Sequence, residues 1–318
     1  MSAKTRSILR YPGSKARFVN FISNAIQLNK KKCSLFAEPF CGGASVSIAL
    51  LENNIVEQVA INDADPLIAS FWDVVFCPIN SQWLTEQVLT IPLTLDEWKY
   101  QKALEPTTPK QAALKCLYLN RTSFNGILHK AGPIGGWLQE KRTLDARFNR
   151  EKLAKRIKEL SLLSERIMSV TNNDWQSFCD RLKERCSSIF FYFDPPYYYK
   201  AEKLYGYYFS NSEHLQLRHY IGNLQDFWML SYDDVPEIRN LYKFNHKRAR
   251  IIDSTYSTHP MGGASFIGRE LFFSNLPRLP LPSPDEQQHS GISVRSYRKS
   301  NEISQGLIRI PTTPVNAI

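Results

Sequence analysis

The quartet Asp194-Pro195-Pro196-Tyr197 closes an aromatic run, Ile189-Phe190-Phe191-Tyr192-Phe193. Two prolines fix the backbone and remove N–H donors while leaving carbonyls free to accept hydrogen bonds. The Asp194 carboxylate and the Pro195 carbonyl therefore form a rigid acceptor pair that suits an amine, such as the exocyclic NH2 of a nucleobase. Holding both amine hydrogens favours a pyramidal, more nucleophilic nitrogen. Tyr197 supplies a stacking surface for a base, which must leave a duplex to enter such a pocket. Taken alone, the quartet favours function over its other reading, an Asp-Pro turn with packing tyrosines.

A second group lies upstream. Glu38-Pro39-Phe40-Cys41-Gly42-Gly43-Ala44-Ser45 follows a short apolar run, and its paired glycines let backbone approach a ligand closely. The helix that follows, Val46 to Leu51 with Ser45 as its cap, presents an amino end able to receive a carboxylate. Lys15, in the loop Arg10-Tyr11-Pro12-Gly13-Ser14-Lys15, is placed to reach the same carboxylate. Asp63 follows Gly43 by 20 residues and closes a second apolar run, where an acid in a nucleotide-type fold accepts from ribose hydroxyls. Any one of these features occurs in proteins that bind nothing; together they mark successive points around one sheet edge.

The elements that must position them alternate. Strands are expected at 34–37, 58–62, 167–171, 188–193 and 227–232, with helices at 16–27, 46–51, after Pro66, up to Arg185, at 213–224 and after Pro236. Antiparallel strands are expected at 242–253 and 270–274, around a loop with Gly262 and Gly263. Between about Cys77 and Leu163 the strand pattern gives way to helical segments, which reads as an insertion. The chain has 318 residues, 43% of them hydrophobic, so a packed core is expected and disorder as the main state is excluded. Its charge of +10 favours polyanionic partners, and from Arg121 to Lys158 ten Lys and Arg stand against three acids. Lys243, His246, Lys247, Arg248 and Arg250 make a second basic run, while Arg121, Thr122, Ser123 and Asn125 combine charge with groups able to read base edges. The first residues lack the apolar core of a signal peptide, and no apolar run approaches the roughly 18 residues of a membrane span, so a cytoplasmic location without membrane contact is expected. The six cysteines show neither C-x-x-C pairing nor neighbouring histidines at ligand spacing, which indicates neither metal nor disulfides. Residues 277–318 hold six of the 18 prolines and read as an extended or weakly ordered tail that could wrap the core.

In this order along the chain, the motifs resemble those of the Dam-like DNA adenine-N6 methyltransferases, which carry a DPPY-type motif. The resemblance spans about residues 8 to 275. It implies S-adenosylmethionine as cofactor, bound by Tyr11, Lys15, Glu38, Pro39, Phe40, Gly42, Gly43, Asp63, Asp174 and Asp194. Within that set Tyr11 and Lys15 would lie near the methionine portion, Asp63 on the ribose and Asp174 near the adenine. Asp194, Pro195, Pro196 and Tyr197 would be the catalytic motif, and Leu119 to Gly126 is similar to part of the target-recognition region. Ala44 departs from the family, which often has a third glycine there. The implied fold is a Rossmann-like α/β methyltransferase sheet: residues 1–76 and 164–276 form its cofactor and catalytic parts, 77–163 a mostly helical target-recognition insertion, and 277–318 a Pro-rich tail. The implied activity is site-specific methyl transfer to the N6 amine of a flipped adenine in double-stranded DNA, with Lys247 and Arg248 joining Arg121, Thr122, Ser123 and Asn125 on the DNA. A cognate restriction endonuclease or other defence component is a further possible partner. Cytosine N4, an adenine in RNA, or an inactive DNA-binding protein on the same scaffold are the alternatives. Direct attack on the methyl group needs no covalent nucleophile, so Cys41 should not be catalytic.

Overall fold

A computed structural model describes residues 7–11, 13–29, 34–199, 208–243, 249–256, 266–281 and 292–296. Its helices and strands follow the apolar periodicity. Val19–Leu28 (α1), preceded by a 3-10 turn at Lys15–Phe18, leads to Leu35–Glu38 (β1), Ser45–Glu52 (α2), Gln58–Asn62 (β2) and Pro66–Phe76 (α3). A helical stretch follows, with Pro78–Thr90 (α4), Leu95–Ala103 (α5), Pro109–Thr122 (α6) and Arg150–Ser161 (α7). Alternation then resumes with Ile167–Thr171 (β3), Trp175–Arg185 (α8), Ile189–Phe193 (β4), Asn211–Asn223 (α9), Phe227–Asp233 (β5) and Pro236–Leu241 (α10). Ala249–Tyr256 (β6), Phe266–Ser274 (β7) and Ile292–Ser296 (β8) complete the described chain.

The sheet order is β3-β2-β1-β4-β5-β7-β6-β8. The first five strands are parallel and the last three are added antiparallel. Strands buried on both faces must be apolar throughout, which explains the unbroken Ile189-Phe190-Phe191-Tyr192-Phe193. Alternate side chains enter opposite layers. Phe36, Phe190 and Tyr192 pack with α1 to α4, α6 and α7, while Ala37, Phe191 and Phe193 pack with α8, α9 and α10. Leu117 on α6 and Ile157 on α7 belong to the same continuous core as Phe36, so the helical stretch is built onto the sheet layer rather than around a core of its own. The strand order reverses between β1 and β4, and the crevice beyond their carboxyl ends is where open α/β sheets bind ligands. The protein is thus a Rossmann-like α/β fold.

Two sequence expectations need correction. Ser45 is the first residue of α2 and not its cap: the cap position is Ala44, in the left-handed region at φ 46°. The first antiparallel strand starts at Ala249, since Tyr242 ends α10. The tail contributes β8 to the sheet edge beside β6, and before it Arg278 exchanges two hydrogen bonds with Asn29 at the end of α1 (3.0 and 3.1 Å). The loop with Gly262 and Gly263 lies outside the described residues.

Candidate active site

The carboxyl ends of β1, β2 and β4 are level because the strands are parallel, so the residues that follow them meet. They enclose a cavity of about 290 Å³, near the lower end of the roughly 300–1,000 Å³ range of ligand pockets. Glu38, Pro39, Phe40, Gly42 and Gly43 line it from β1, Asp63 from β2, and Asp194, Pro195, Pro196 and Tyr197 from β4. Tyr11 and Lys15 reach it from the amino-terminal segment and Asp174 from the start of α8. Every expected catalytic and cofactor residue therefore faces one cavity. Trp175 and Phe209, which the sequence did not single out, add aromatic walls beside Phe40, whose ring lies 6.2 Å from Trp175 and 5.6 Å from Phe209.

Asn62 ties the carboxyl ends of β1, β2 and β3 together. Its amide donates to the Pro39 and Asn173 carbonyls (both 3.0 Å) and its oxygen accepts from Thr171 (2.7 Å) and the Asn173 N–H (2.9 Å). Asp63 braces the glycine turn: one carboxylate oxygen accepts from the Gly42 N–H at 2.7 Å and the other from the Asp65 N–H at 2.9 Å. Burial nevertheless raises its pKa to about 7. Glu38 is likewise buried and raised to about 8, although Ser47 donates to it through both its hydroxyl and its N–H. Asp174 caps α8, accepting from the N–H groups of Gln176 (3.0 Å) and Ser177 (3.1 Å).

The paired glycines line the cavity and also make room for Tyr11. A Cβ on Gly42 would lie 2.5 Å from the Tyr11 ring, and one on Gly43 would be 3.0 Å from the Tyr11 Cβ, so the absent side chains make room for Tyr11. Gly42 also sits at φ +44°, where a side chain is strained.

Lys15 lines the same cavity. Its ammonium lies 2.6 Å from one oxygen of Asp194 and 2.9 Å from the other, and it donates to the Gly13 carbonyl and the Tyr197 hydroxyl (both 3.1 Å). Tyr197 in turn donates to Glu270 at 2.6 Å, and Ser231 donates to Asp194 at 2.7 Å. Burial disfavours the charge on Lys15, but Asp194 and then Glu270 outweigh it and hold the pKa above the ordinary lysine value. Sequence reasoning missed Ser231 and Glu270. Their signal was a polar residue inside an apolar strand, Met229-Leu230-Ser231-Tyr232 and Glu270-Leu271-Phe272-Phe273.

A comparison with protein families matches residues 11–258 to the D12 class N6 adenine-specific DNA methyltransferases. The chain belongs to this family. It is accordingly an enzyme that transfers a methyl group to adenine N6 in DNA, and its substrates are a methyl donor and DNA. No curated protein matches the chain.

The methyltransferase departs from the sequence expectation on its DNA side. Thr122 and Ser123 are fully buried: Thr122 bonds back to the Tyr118 carbonyl at 2.7 Å, and Ser123 accepts from the Trp98 indole at 3.2 Å. Neither presents a polar group to a base edge. Arg121 is largely buried and donates to the Ile8 and Arg147 carbonyls. Asn125 is exposed, at φ 55°. Lys247 and Arg248 lie outside the described residues. Among the described residues no cluster of His, Cys, Asp or Glu could hold a metal, the cysteines are free thiols, and no helix is long and apolar enough to cross a membrane.

Proposed function

We propose that the cavity binds S-adenosylmethionine as the methyl donor and receives an adenine flipped out of double-stranded DNA. The observation that carries this reading is that Asp194 and Pro195 share one cavity with the glycine turn and two buried carboxylates. The fit is electrostatic as well as steric: Glu38 and Asp63 are raised to about 8 and about 7 by burial, and a cationic ligand would favour their ionised forms. S-adenosylmethionine supplies a methyl group activated on a sulfonium.

The chain's residues then divide the work. Asp63 and Asp174 accept from hydroxyl and amine groups of the donor's nucleoside, the aromatic walls of Phe40 and Trp175 stack on it, and the amino end of α2, whose Ser47 N–H is taken by Glu38, lies toward its carboxylate. Tyr11 locks the turn. The Asp194 carboxylate and the Pro195 carbonyl would hold the two N6 hydrogens and Tyr197 would stack on the adenine, so that the amine can attack the methyl carbon as the methyl–sulfur bond breaks with its electron pair going to sulfur, and the surplus proton then leaves to solvent. Lys15, Ser231 and Glu270 are positioning residues, since Lys15 and Ser231 fix the Asp194 carboxylate and Glu270 fixes the Tyr197 hydroxyl. Positioning supplies much of the rate.

In the same reading, residues 1–76 and 164–276 are the methyl-transfer core, 77–163 recognise the target, Asn125 faces DNA, and Ile292–Ser296 of the tail closes the sheet edge. The enzyme works in the cytoplasm, and methylating one sequence suits it to partner a restriction endonuclease or other defence component. Titration calorimetry with S-adenosylmethionine, followed by transfer of labelled methyl to duplex DNA and nucleoside analysis, tests the reading. Saturable binding and N6-methyldeoxyadenosine are expected; no binding, or N4-methyldeoxycytidine as product, would overturn it.

A further inference from the structure

The helical stretch carries a short hairpin whose turn is built around a lysine. Ser123 and Pro133 form an antiparallel bridge, the Phe124 N–H donates to the Gly132 carbonyl at 2.9 Å, and the Ile134 N–H donates to the Thr122 carbonyl at 2.7 Å. Within this hairpin the carbonyls of Leu128, His129 and Ala131 converge on the Lys102 ammonium of α5, at 2.7, 2.8 and 3.5 Å. An ammonium has three hydrogens and no lone pair, so three acceptors use it fully. Carbonyl oxygens aimed at one point repel one another unless a cation sits among them, which is how carbonyl rings hold desolvated ions. Among the described residues no carboxylate pairs with Lys102, and burial, then repulsion from Lys115, lowers its pKa.

Trp98, one turn earlier on the same face of α5, completes the grip. Its ring lies 5.7 Å from the Lys102 ammonium, its indole N–H donates to Ser123 at the base of the hairpin, and it makes an edge contact with Trp137 at 5.6 Å between centroids. The His129 ring ties the hairpin a second time, with Nε2 2.7 Å from the carboxylate of Asp65, which lines the cavity. The hairpin is therefore held between α5 and the cavity wall. What this fixes is exposed: Phe124 and Trp137 present rings to solvent, and Asn125 stands beside Phe124 at φ 55°.

We propose that Lys102 is a positioning residue that serves as a built-in cation for this hairpin and thereby sets which base pairs the enzyme accepts. A side chain reads a base edge only while its backbone is held in register with the groove, so a hairpin without its cation accepts sequences that the held one rejects. Lys102 itself touches no DNA in this role; its charge is spent on the three carbonyls. The inference rests on the reading above that residues 77–163 recognise the target.

The test compares the full chain with Lys102→Met, which keeps the stem and removes the charge, and with Lys99→Met, which removes an exposed charge from the same helix. Hydrogen exchange followed by mass spectrometry reads the hairpin directly. Amides of residues 122–134 should exchange about tenfold faster in Lys102→Met, with β1 and β4 unchanged and Lys99→Met like the wild type. Methyl transfer is then measured on a duplex carrying the sequence that the wild type methylates and on duplexes altered at one base pair. The ratio of kcat/KM between them should fall on the order of tenfold in Lys102→Met, while donor affinity in calorimetry stays within about twofold. Unchanged exchange in the hairpin, or rates on both duplexes that fall together with their ratio kept, would overturn the proposal, the second result making the lysine a matter of stability alone. If Lys102→Met does not fold, Trp98→Phe, which removes the indole bond to Ser123, is read in the same two assays and should shift both in the same direction. A wild type that methylates no DNA would instead sink the functional reading, and the exchange measurement would still decide whether Lys102 holds the hairpin.

Discussion

Replacing Lys15 by methionine removes the ammonium that pairs with the Asp194 carboxylate. The side chain is 3% exposed and its partner Asp194 is 18% exposed. Without the ammonium, Asp194 keeps only the Ser231 hydroxyl, Tyr197 loses one donor, and the buried Glu270, whose pKa burial already raises, loses a compensating charge. Removing one partner of a buried pair costs about 3–5 kcal/mol, against about 0–1 kcal/mol for an exposed pair. The sign of the pH effect is fixed too. Because the folded pKa of Lys15 stands above its ordinary 10.5, its contribution is complete below that value and is lost only as pH rises through the folded one, so a measurement at pH 7 reads all of it. Urea unfolding of wild type, Lys15→Met, Asp194→Asn and the double variant gives the cycle. Lys15→Met should lose about 3–5 kcal/mol, and the double variant should lose less than the two single variants together, with an interaction energy on the order of 2 kcal/mol. A loss below about 1 kcal/mol, or strict additivity, would refute the claim that the pair is buried and coupled.

Gly42→Ala forces a Cβ to 2.5 Å from the Tyr11 ring at φ +44° and should cost about 2–4 kcal/mol in urea unfolding while weakening donor binding; a neutral substitution would mean that Tyr11 does not pack there. Cys41→Ser should turn over close to the wild-type rate in a labelled-methyl assay, because burial holds the thiol well above its ordinary pKa and the reaction uses no thiolate; near-total loss with folding and donor binding intact would contradict that. Glu38 and Asp63 bind protons more tightly in the folded chain than their ordinary values of 4.5 and 3.8, so stability of the empty protein should fall as pH rises from about 5 to 8, by up to about 1.4 kcal/mol per unit for each group. A cationic donor favours the ionised forms, so its affinity should rise over that same interval in calorimetry at pH 6, 7 and 8; a flat or falling affinity would remove these acids from the site.

Much of the site was legible because its motifs are local. The aromatic strand before Asp194, the turn after Glu38 and the acid after β2 each announce a strand end within a few residues, and parallel strands bring such ends to one edge. The partners of those residues were not legible. Lys15 and Asp194 are 179 positions apart, and only the assembled fold shows that the lysine serves the carboxylate. Thr122 and Ser123 misled for a related reason, since polar side chains that bond back into their own helix or to a buried indole look like surface until packing is known. The glycines were read correctly as a place without side chains, but the space also serves Tyr11, a neighbour supplied from 31 residues upstream of Gly42. The last strand escaped notice because a five-residue segment in a proline-rich tail has too little pattern to declare itself before β6 offers it an edge.

The central claim is that this cavity methylates adenine N6 in DNA through Asp194. Wild type and Asp194→Ala should be expressed in a bacterium that lacks adenine methylation, and the genomic DNA sequenced by a method that detects modified bases. N6-methyladenine confined to one short sequence with the wild type, and absent with a variant that still folds and binds donor, is the predicted result. Methylation that persists in Asp194→Ala, or a modified cytosine in place of adenine, would contradict it.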